Sequence, residues 1–249
     1  MTNLKNKTVM VTGAGKNIGK EIALAFAREG ANVVVCDLSE ENANSTAQEI
    51  RAMGTGVMAA VCDVRDRSKI FALVEAATQE FGSVDVLVNN AGGSAGLLNK
   101  LTEFVDAEPE TLDFVIDVNV KGSMNCMQAV LPGMIKNRWG KIINISSIAA
   151  ICGLKQRVDY AAAKAAIIGM AKALALEVGQ YNICVNCVSP GAIARNGRTH
   201  GHMTHLGEDG RMGEPKDIAE TVLFLAGQDF ITGENVVVDG GRTLGPSCR

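Results

Sequence analysis

The chain has 249 residues, of which 47% are hydrophobic and 20% are charged, and its formal net charge is −3. This length and composition suit one large α/β domain with a full core, and they argue against a disordered chain or a basic nucleic-acid-binding surface. The sequence has no apolar signal core before the first strand and no apolar stretch near the roughly 18 residues that a membrane span requires. We therefore expect a cytoplasmic protein with no membrane or nucleic-acid partner.

Short apolar runs alternate with helical segments along the chain. The run "KTVMVTG" comes first, and the segment from Ile18 to Glu29 then has helical periodicity and is followed by Gly30 as a C-terminal cap. Six more strand-like runs follow in chain order: "ANVVVCD", "VMAAVCDV", "VDVLVNNAG", "GKIINIS", "NICVNCVSPG" and "NVVVDGG". Because these runs do not alternate with polar residues, they are typical of strands buried on both faces. The pattern predicts a doubly wound α/β fold with a parallel sheet, as one domain over residues 1–249.

The cysteines give no sign of a disulfide framework. The seven cysteines, from Cys36 to Cys248, lack the regular spacing of a disulfide framework, which favours a reducing compartment. Cys184 and Cys187 lie in one strand-like run, where residues three apart point to opposite faces. We therefore expect neither a disulfide nor a shared metal ion at this pair.

Ligands of doubly wound sheets lie beyond the carboxyl ends of the strands. The first strand ends in "TGAGKNIG", residues 12–19, where glycines allow a tight turn and let N–H groups approach a pyrophosphate at the helix N-terminus. The second strand ends in Asp37, whose carboxylate can accept hydrogen bonds from a ribose diol. The alternatives are a turn without a ligand for the glycines, and a helix N-cap or a solvated acid for Asp37.

Tyr160 and Lys164 lie at the start of an apolar helical segment, "YAAAKAAIIGMAKALALEV". Residues four apart share one helix face, so the phenol and the ammonium can lie close together. A nearby ammonium stabilises a phenolate and lowers the phenol pKa from its usual value of about 10, which allows a tyrosine to act as a base. Taken alone, such a pair is more often a tyrosine at the core edge with a lysine that reaches water.

Six motifs together resemble those of the short-chain dehydrogenase/reductase family, and the resemblance spans essentially the whole chain. They are "TGAGKNIG", "NNAG" at 89–92, "VNVKG" at 118–122, "INISS" at 143–147, "YAAAK" at 160–164 and "SPG" at 189–191. The resemblance implies a Rossmann-like doubly wound sheet of about seven strands. It also implies an oxidoreductase that transfers a hydride between a nicotinamide cofactor and a secondary alcohol or ketone.

The resemblance further implies catalytic roles for Asn119, Ser147, Tyr160 and Lys164. Tyr160 would be the acid/base, Lys164 its electrostatic partner and a ribose ligand, Ser147 a hydrogen-bond donor to the substrate oxygen, and Asn119 the support of a water relay. The implied cofactor-binding residues are Gly13, Gly15, Lys16, Asn17, Ile18, Gly19, Asp37, Asp63, Val64, Asn90, Ala91, Gly92, Tyr160, Lys164, Pro190, Gly191 and Ile193. We expect Asn90 to support the scaffold rather than to react.

The sequence departs from the family pattern at two residues and in the length of two segments. Asn17 stands where the family usually has glycine. Because asparagine tolerates a positive φ, we expect the turn to keep its ability to bind the dinucleotide. Arg195 stands where the family often has a threonine near the nicotinamide amide, so the sequence does not predict that contact. Residues 196–210 form a shorter segment than is common, whereas the stretch from Gly92 to Asn119 is longer. We expect substrate selection to lie in these two segments.

Lys16 and Asp37 favour different cofactors. The lysine could attract the 2′-phosphate of NADP, whereas the carboxylate would bind the free hydroxyls of NAD and repel a phosphate. A lysine can swing into water at little cost, but a carboxylate at a strand end has less freedom to retreat. We therefore predict NAD, with NADP disfavoured.

The charged residues near the motifs favour a small, polar and anionic substrate. Lys155, Gln156 and Arg157 lie between Ser147 and Tyr160, and Arg195 follows a strand end, so cationic side chains could ring the pocket. Solvated loop charges are the alternative. The histidines at positions 200, 202 and 205 could bind a metal ion, but hydride transfer to a nicotinamide needs none, so we predict no metal site.

Residues from about 110 to 136 and 160 to 178 form helical segments that are apolar on more than one face. The family resemblance implies that these helices pack between subunits, which predicts a homodimer or homotetramer. Two other functions stay open: reduction of carrier-bound 3-oxoacyl chains, and dinucleotide binding without catalysis. The acidity of the chain gives no support to docking of an acidic carrier, and the intact set of four catalytic residues argues against a non-catalytic protein.

Overall fold

The computed structural model describes residues 3–194 and 211–244. These residues contain the strands β1 (Thr8–Thr12), β2 (Asn32–Asp37), β3 (Val57–Val61), β4 (Val86–Asn89), β5 (Gly140–Ile145), β6 (Ile183–Pro190) and β7 (Asn235–Val238). They form one parallel sheet with the order β3-β2-β1-β4-β5-β6-β7. The predicted doubly wound fold is therefore confirmed, and its strand order reverses between β1 and β4.

Helices cover both faces of this sheet. They are α1 (Asn17–Arg28), α2 (Glu40–Ala52), α3 (Arg67–Phe81), α4 (Pro109–Ile116), α5 (Gly122–Asn137), α6 (Ala149–Cys152), α7 (Val158–Val178) and α8 (Pro215–Ala226). Apolar side chains of α1, α2 and α8 form one buried cluster with the strands. Those of α3, α5 and α7 form a second cluster. The two layers bury β1, β4, β5 and β6 along their whole length, which explains why the strand sequences do not alternate.

The third strand is shorter than the sequence predicts. The apolar run continues to Val64, but pairing ends at Val61 because its register partner Asp37 is the last residue of β2. Asp63 and Val64 consequently lie in the loop after β3.

The predicted helix from about 110 to 136 has an interruption. A π-helical turn, Asp117–Lys121, joins α4 to α5, and Asn119 lies at its centre. Such turns are wider than an α-helical turn and often occur at functional sites. The apolar periodicity of the segment gives no sign of this change.

The six cysteines in the described part of the chain are free thiols. Cys184 accepts a hydrogen bond of 3.4 Å from Lys141 Nζ, whereas Cys187 donates one of 3.7 Å to the carbonyl of Ile167 in α7. The two thiols therefore have different surroundings, as expected of residues three apart in a strand. Among the helices that the structure describes, none has the length and apolar character needed to cross a membrane.

Candidate active site

The glycine turn after β1 has a backbone that few side chains would allow. Gly13 has a φ of +62°, and a side chain at Gly19 would collide with the carbonyl group of Gly13. Asn17 has a φ of +50°, a conformation that asparagine tolerates better than most residues. Asn17 therefore has the positive φ that the turn requires, and cofactor binding with this residue in place of glycine stays a prediction.

This turn leads into the N-terminus of α1, a helix of 12 residues. Lys16 is the N-cap residue, and its side chain forms no capping hydrogen bond. The first N–H groups of a helix have no partner within the helix, and the helix dipole makes this end attractive to anions. A tight glycine cradle followed by an N-terminus without a side-chain cap fits the pyrophosphate of a dinucleotide.

Asp37 is bonded to the glycine turn. Its Oδ2 accepts a hydrogen bond of 2.8 Å from the N–H of Gly15, and its Oδ1 accepts one of 3.0 Å from the N–H of Ser39. A carboxylate has about four lone-pair sites, so it can still accept hydrogen bonds from ribose hydroxyls. Lys16 is exposed and forms no ion pair with the described acidic residues.

Asn90 and Ala91 tie the end of β4 to the end of β1. The Nδ2 of Asn90 donates hydrogen bonds of 2.9 Å and 3.0 Å to the carbonyls of Thr12 and Gly13. The N–H of Ala91 donates one of 3.0 Å to the Oγ1 of Thr12. These contacts make Asn90 part of the scaffold that fixes the glycine turn.

Asn119 fastens the loop after β4 to the π-turn. Its Nδ2 donates hydrogen bonds of 2.8 Å to the carbonyls of Gly93 and Val115, and its Oδ1 accepts one of 3.2 Å from the N–H of Gly93. A side chain at Gly92 would collide with Asn119 and would come within 3.2 Å of Lys164 Nζ. Both donor hydrogens of Asn119 are thus used within the protein, which gives this side chain a positioning role, and the water relay stays a prediction.

Lys164 is buried, with only 4% of its surface exposed. Its Nζ donates a hydrogen bond of 2.8 Å to the carbonyl of Ile145 at the end of β5 and lies 5.6 Å from the centroid of the Tyr160 ring. Burial lowers the pKa of Lys164 from 10.5 to about 8, because the charged form loses its hydration. At neutral pH the ammonium therefore still predominates next to the phenol.

Ser147 lies two residues beyond β5, and its neighbour Ser146 joins this strand end to α7. The Oγ of Ser147 accepts a hydrogen bond of 3.1 Å from the N–H of Ala149. The Oγ of Ser146 donates one of 2.8 Å to the carbonyl of Lys164. These contacts hold the Ser147 hydroxyl and the Lys164 helix at the same end of the sheet.

One cavity of about 410 Å³ brings most of these groups together. It is lined by Ile18, Asn90, Gly92, Gly93, Ser94, Gly96, Leu97, Leu101, Ile145, Ser146, Ser147, Arg157, Tyr160, Lys164, Pro190, Gly191 and Ile193. A second cavity of about 520 Å³, between α8 and β7, contains none of the four predicted catalytic residues. The cavity that holds Ser147, Tyr160 and Lys164 is therefore the candidate active site.

Some lining residues were not predicted individually. Ser94, Leu97 and Leu101 belong to the long stretch between Gly92 and Asn119. We expect this stretch to take part in substrate selection because it is longer than is common in the family. Gly93 and Gly96 come from the same stretch.

Asp63 and Val64 do not line this cavity. The carboxylate of Asp63 pairs with the guanidinium of Arg65 at 2.6 Å, and the hydrogen bonds from Arg65 lower the pKa of Asp63. The carbonyl of Val64 accepts a hydrogen bond of 2.9 Å from Asn125 Nδ2. Their role in cofactor binding stays a prediction.

Arg195 and the histidines at positions 200, 202 and 205 lie outside the described residues. Within residues 3–194 and 211–244, no group of three or more His, Cys, Asp or Glu side chains could hold a metal ion. The prediction that the histidine segment binds no metal stays open.

The comparison with protein families agrees with the geometry of this site. Residues 7–201 match the family model described as short chain dehydrogenase. The chain belongs to the short-chain dehydrogenase family. Members of this family are oxidoreductases that act on CH–OH groups and bind a nicotinamide cofactor.

Curated members of the short-chain dehydrogenase family match almost the whole chain. The (2S)-[(R)-hydroxy(phenyl)methyl]succinyl-CoA dehydrogenase subunit BbsD of Thauera aromatica is 40% identical over 97% of this chain and 98% of its own length. The 3-oxoacyl-[acyl-carrier-protein] reductase FabG of Thermotoga maritima is 40% identical over 97% of this chain and 99% of its own. The oxidoreductase UcpA of Salmonella typhimurium is 38% identical over 98% of this chain and 97% of its own length. These names include both a dehydrogenase and reductases, so the family is clear and the substrate differs among relatives.

Proposed function

We propose that this short-chain dehydrogenase transfers a hydride between NAD and the secondary alcohol or ketone group of a small polar compound. The observation that carries the proposal is that Ser147, Tyr160 and Lys164 line one cavity beside a glycine turn that is bonded to Asp37. Each of these groups matches a requirement of the reaction. The proposal extends the family assignment to a cofactor and a substrate class.

The proposed chemistry divides the work among three side chains. The nicotinamide, when bound, supplies the hydride acceptor or donor. Tyr160 takes the proton from the substrate hydroxyl during oxidation and returns it during reduction, and the Lys164 ammonium stabilises the phenolate form. The Ser147 hydroxyl donates a hydrogen bond to the substrate oxygen, where negative charge develops.

The choice of NAD rests on the charge of Asp37. Its carboxylate is fixed by the N–H groups of Gly15 and Ser39, so it cannot withdraw from the adjoining turn without losing both hydrogen bonds. A 2′-phosphate next to this carboxylate would be repelled, whereas free ribose hydroxyls would donate to it. Lys16 is exposed and could offset part of this repulsion.

Reduction of carrier-bound 3-oxoacyl chains is the second candidate, because relatives at about 40% identity carry that name. Docking of an acidic carrier requires a basic rim. Two lysines beside the cavity are already paired: Lys100 with Glu108 at 2.5 Å, and Lys155 with Glu103 at 3.2 Å. This neutralisation favours a small-molecule substrate.

We also propose that the chain acts as a homodimer or homotetramer. The surface of α7 exposes small and apolar residues rather than charges over much of its length, including Ala162, Ala165, Gly169, Ala173 and Leu176. Leu176 is 88% exposed in the single chain. A continuous face of this kind suits close packing against another helix.

The cytoplasmic location remains a proposal. The free thiols of the described cysteines support it, because disulfides persist mainly in oxidising compartments. Fractionation of cells that express the full chain would test it.

A substrate screen tests the function directly. The purified full chain would be assayed with sugars, polyols, hydroxy acids, steroids and 3-oxoacyl thioesters, each with both cofactors, by nicotinamide absorbance. We expect turnover of a small polar alcohol with NAD, or of the corresponding ketone with NADH, and a rate lower by about 100-fold or more in the Tyr160→Phe variant. Activity confined to 3-oxoacyl thioesters with NADPH would favour the second candidate.

A further inference from the structure

Arg157 is a cation in the active-site cavity that the chemistry above does not use. The residues lining the cavity include two cations, Lys164 and Arg157, and no carboxylate. Lys164 serves Tyr160 and the cofactor in the proposed function. Arg157 is half-buried and forms no ion pair with the acidic residues that the structure describes. The cavity therefore has a positive charge without a counter-ion among the described residues.

The structure separates Arg157 from the two polar residues before it. Lys155 Nζ lies 3.2 Å from Glu103 and its side chain is 81% exposed. Gln156 also contacts Glu103, through a hydrogen bond of 3.4 Å, and has a φ of +61°, so the backbone turns sharply before the next residue. Arg157, in contrast, lines the cavity with Tyr160. Of these three residues, only Arg157 can meet a substrate there.

Ser94 fixes the guanidinium of Arg157. The Nη1 of Arg157 donates a hydrogen bond of 2.6 Å to the Oγ of Ser94, which is buried and also accepts a hydrogen bond from the N–H of Gly96. A guanidinium has five N–H donors in a rigid planar fork, and Ser94 takes one of them. The remaining donors have no partner among the described residues, so a planar anion could be bound without breaking the contact with Ser94.

We propose that Arg157 binds a carboxylate of the substrate, which makes the substrate a hydroxy acid or the corresponding oxo acid. This inference rests on the function proposed above. Arg157 is the N-cap residue of α7, and its carbonyl accepts a hydrogen bond of 2.8 Å from Ala161, so it lies one helical turn before Tyr160. Because Arg157 and Tyr160 also line the same cavity of about 410 Å³, an anion bound by the guanidinium would lie near the reacting carbon. A carboxylate meets this condition and matches the guanidinium fork, whereas the phosphates of acyl thioesters lie a whole pantetheine arm away.

Paired acids and esters test this role by steady-state kinetics. Hydroxy acids with the alcohol at C2 or C3 would be compared with their methyl esters, using NAD, for the wild type and for Arg157→Met, Arg157→Lys and Lys155→Met. We expect Arg157→Met to lose about 100-fold in kcat/KM on the acids, mainly through KM, and to change little on the esters. Arg157→Lys should be intermediate, and Lys155→Met should match the wild type. Equal losses on acids and esters, or no loss on either, would overturn the assignment.

Binding measured by calorimetry separates this inference from the proposed function. The same hydroxy acids, together with a sugar phosphate, would be titrated into the full chain with and without NADH, which requires no turnover. If Arg157→Met binds the acids at least tenfold more weakly than the wild type, the carboxylate site is supported. This holds even if no alcohol is oxidised, and in that case only the proposed function fails. Equal acid binding by wild type and variant, or a loss confined to the sugar phosphate, would reject a carboxylate site.

Discussion

Lys164 Nζ lies 5.6 Å from the ring centroid of Tyr160, and its own position is set by a hydrogen bond of 2.8 Å to the carbonyl of Ile145. The charge near the phenol is thus anchored to the end of β5 as well as to α7. Because Lys164 is buried, little solvent screens its charge from the tyrosine. The proposed proton-transfer group therefore lies near a cation whose position is fixed by the sheet.

Replacement of Tyr160 by phenylalanine should remove the acid/base and leave the fold intact. We expect turnover to fall by about 100-fold or more, the usual scale for loss of a positioned proton-transfer group, with NADH affinity unchanged. Single-turnover kinetics and NADH fluorescence would measure the two quantities. Tyr181→Phe, at a tyrosine that does not line the active-site cavity, is the matched control. A Tyr160→Phe enzyme with half of the wild-type rate would refute the assignment.

Lys164 should make the stability of the protein depend on pH in a specific direction. Its pKa falls from 10.5 to about 8 on folding, so between these values the unfolded chain binds the proton more strongly. The free energy of unfolding should therefore rise with pH through this window, and the penalty for burying the ammonium is fully present below about pH 8. Relative to Lys164→Met, the wild type should gain about 2 to 3 kcal/mol between pH 7 and pH 10.

Urea unfolding of both proteins across this pH range would measure the gain. Lys172→Met, at an exposed lysine of the same helix, should run parallel to the wild type. If the curves for Lys164→Met and the wild type are also parallel, the ammonium is not destabilised by burial.

Asp37 should determine the cofactor preference. We expect kcat/KM to favour NAD over NADP by tenfold or more, which corresponds to about 1.4 kcal/mol. Asp37→Ser should narrow this gap because it removes the repelling charge. Asp37→Asn should do the same while an amide oxygen still accepts the hydrogen bond from Gly15.

Steady-state kinetics on one substrate with both cofactors would measure the preference. Lys16→Ala should increase the preference for NAD over NADP, because the lysine is the group that could attract the 2′-phosphate. Equal or reversed efficiencies in the wild type would mean that the lysine dominates.

Gly169 offers a test of oligomer formation that does not compromise the single chain. It lies on the exposed face of α7, and a Cβ added there would meet no atom within 4 Å. Gly169→Arg should therefore fold at least as well as the wild type, because glycine inside a helix costs about 1 kcal/mol relative to good helix formers. It should nevertheless disrupt packing between subunits.

Sedimentation equilibrium would show the expected loss of dimers or tetramers in Gly169→Arg. Ala76→Arg, at an exposed position of α3, should keep the wild-type state. Unchanged assembly in both variants would mean that this face of α7 is not an interface.

The parallel sheet could be predicted from sequence because strands buried on both faces consist of apolar residues without alternation. β1 and β4 are uniformly buried, and their apolar runs lack alternation for that reason. The positive φ at Asn17 could be anticipated because few residue types tolerate it. These features could be predicted because they depend on the residues of the segment itself.

Other features depend on partners that the local sequence does not contain. The end of β3 is set by the last residue of β2, and Asn119 in the π-turn is bonded to Gly93, which lies 26 residues earlier in the chain. Lys155, Gln156 and Arg157 precede Tyr160 in the sequence, but only the structure, with its turn at Gln156, shows that Arg157 is the one that lines the cavity. Tertiary contacts, not periodicity, fix these positions.

The order of the strands has a consequence for synthesis on the ribosome. β1 is a central strand: Val9 pairs with Val33 of β2 on one side and with Val86 of β4 on the other. While β4 is still inside the exit tunnel, one edge of β1 presents unpaired backbone groups and apolar side chains, which is a template for aggregation. The emerging first third of the chain therefore requires either protection by a chaperone or rapid elongation through β4, and a chain terminated between β3 and β4 should be insoluble.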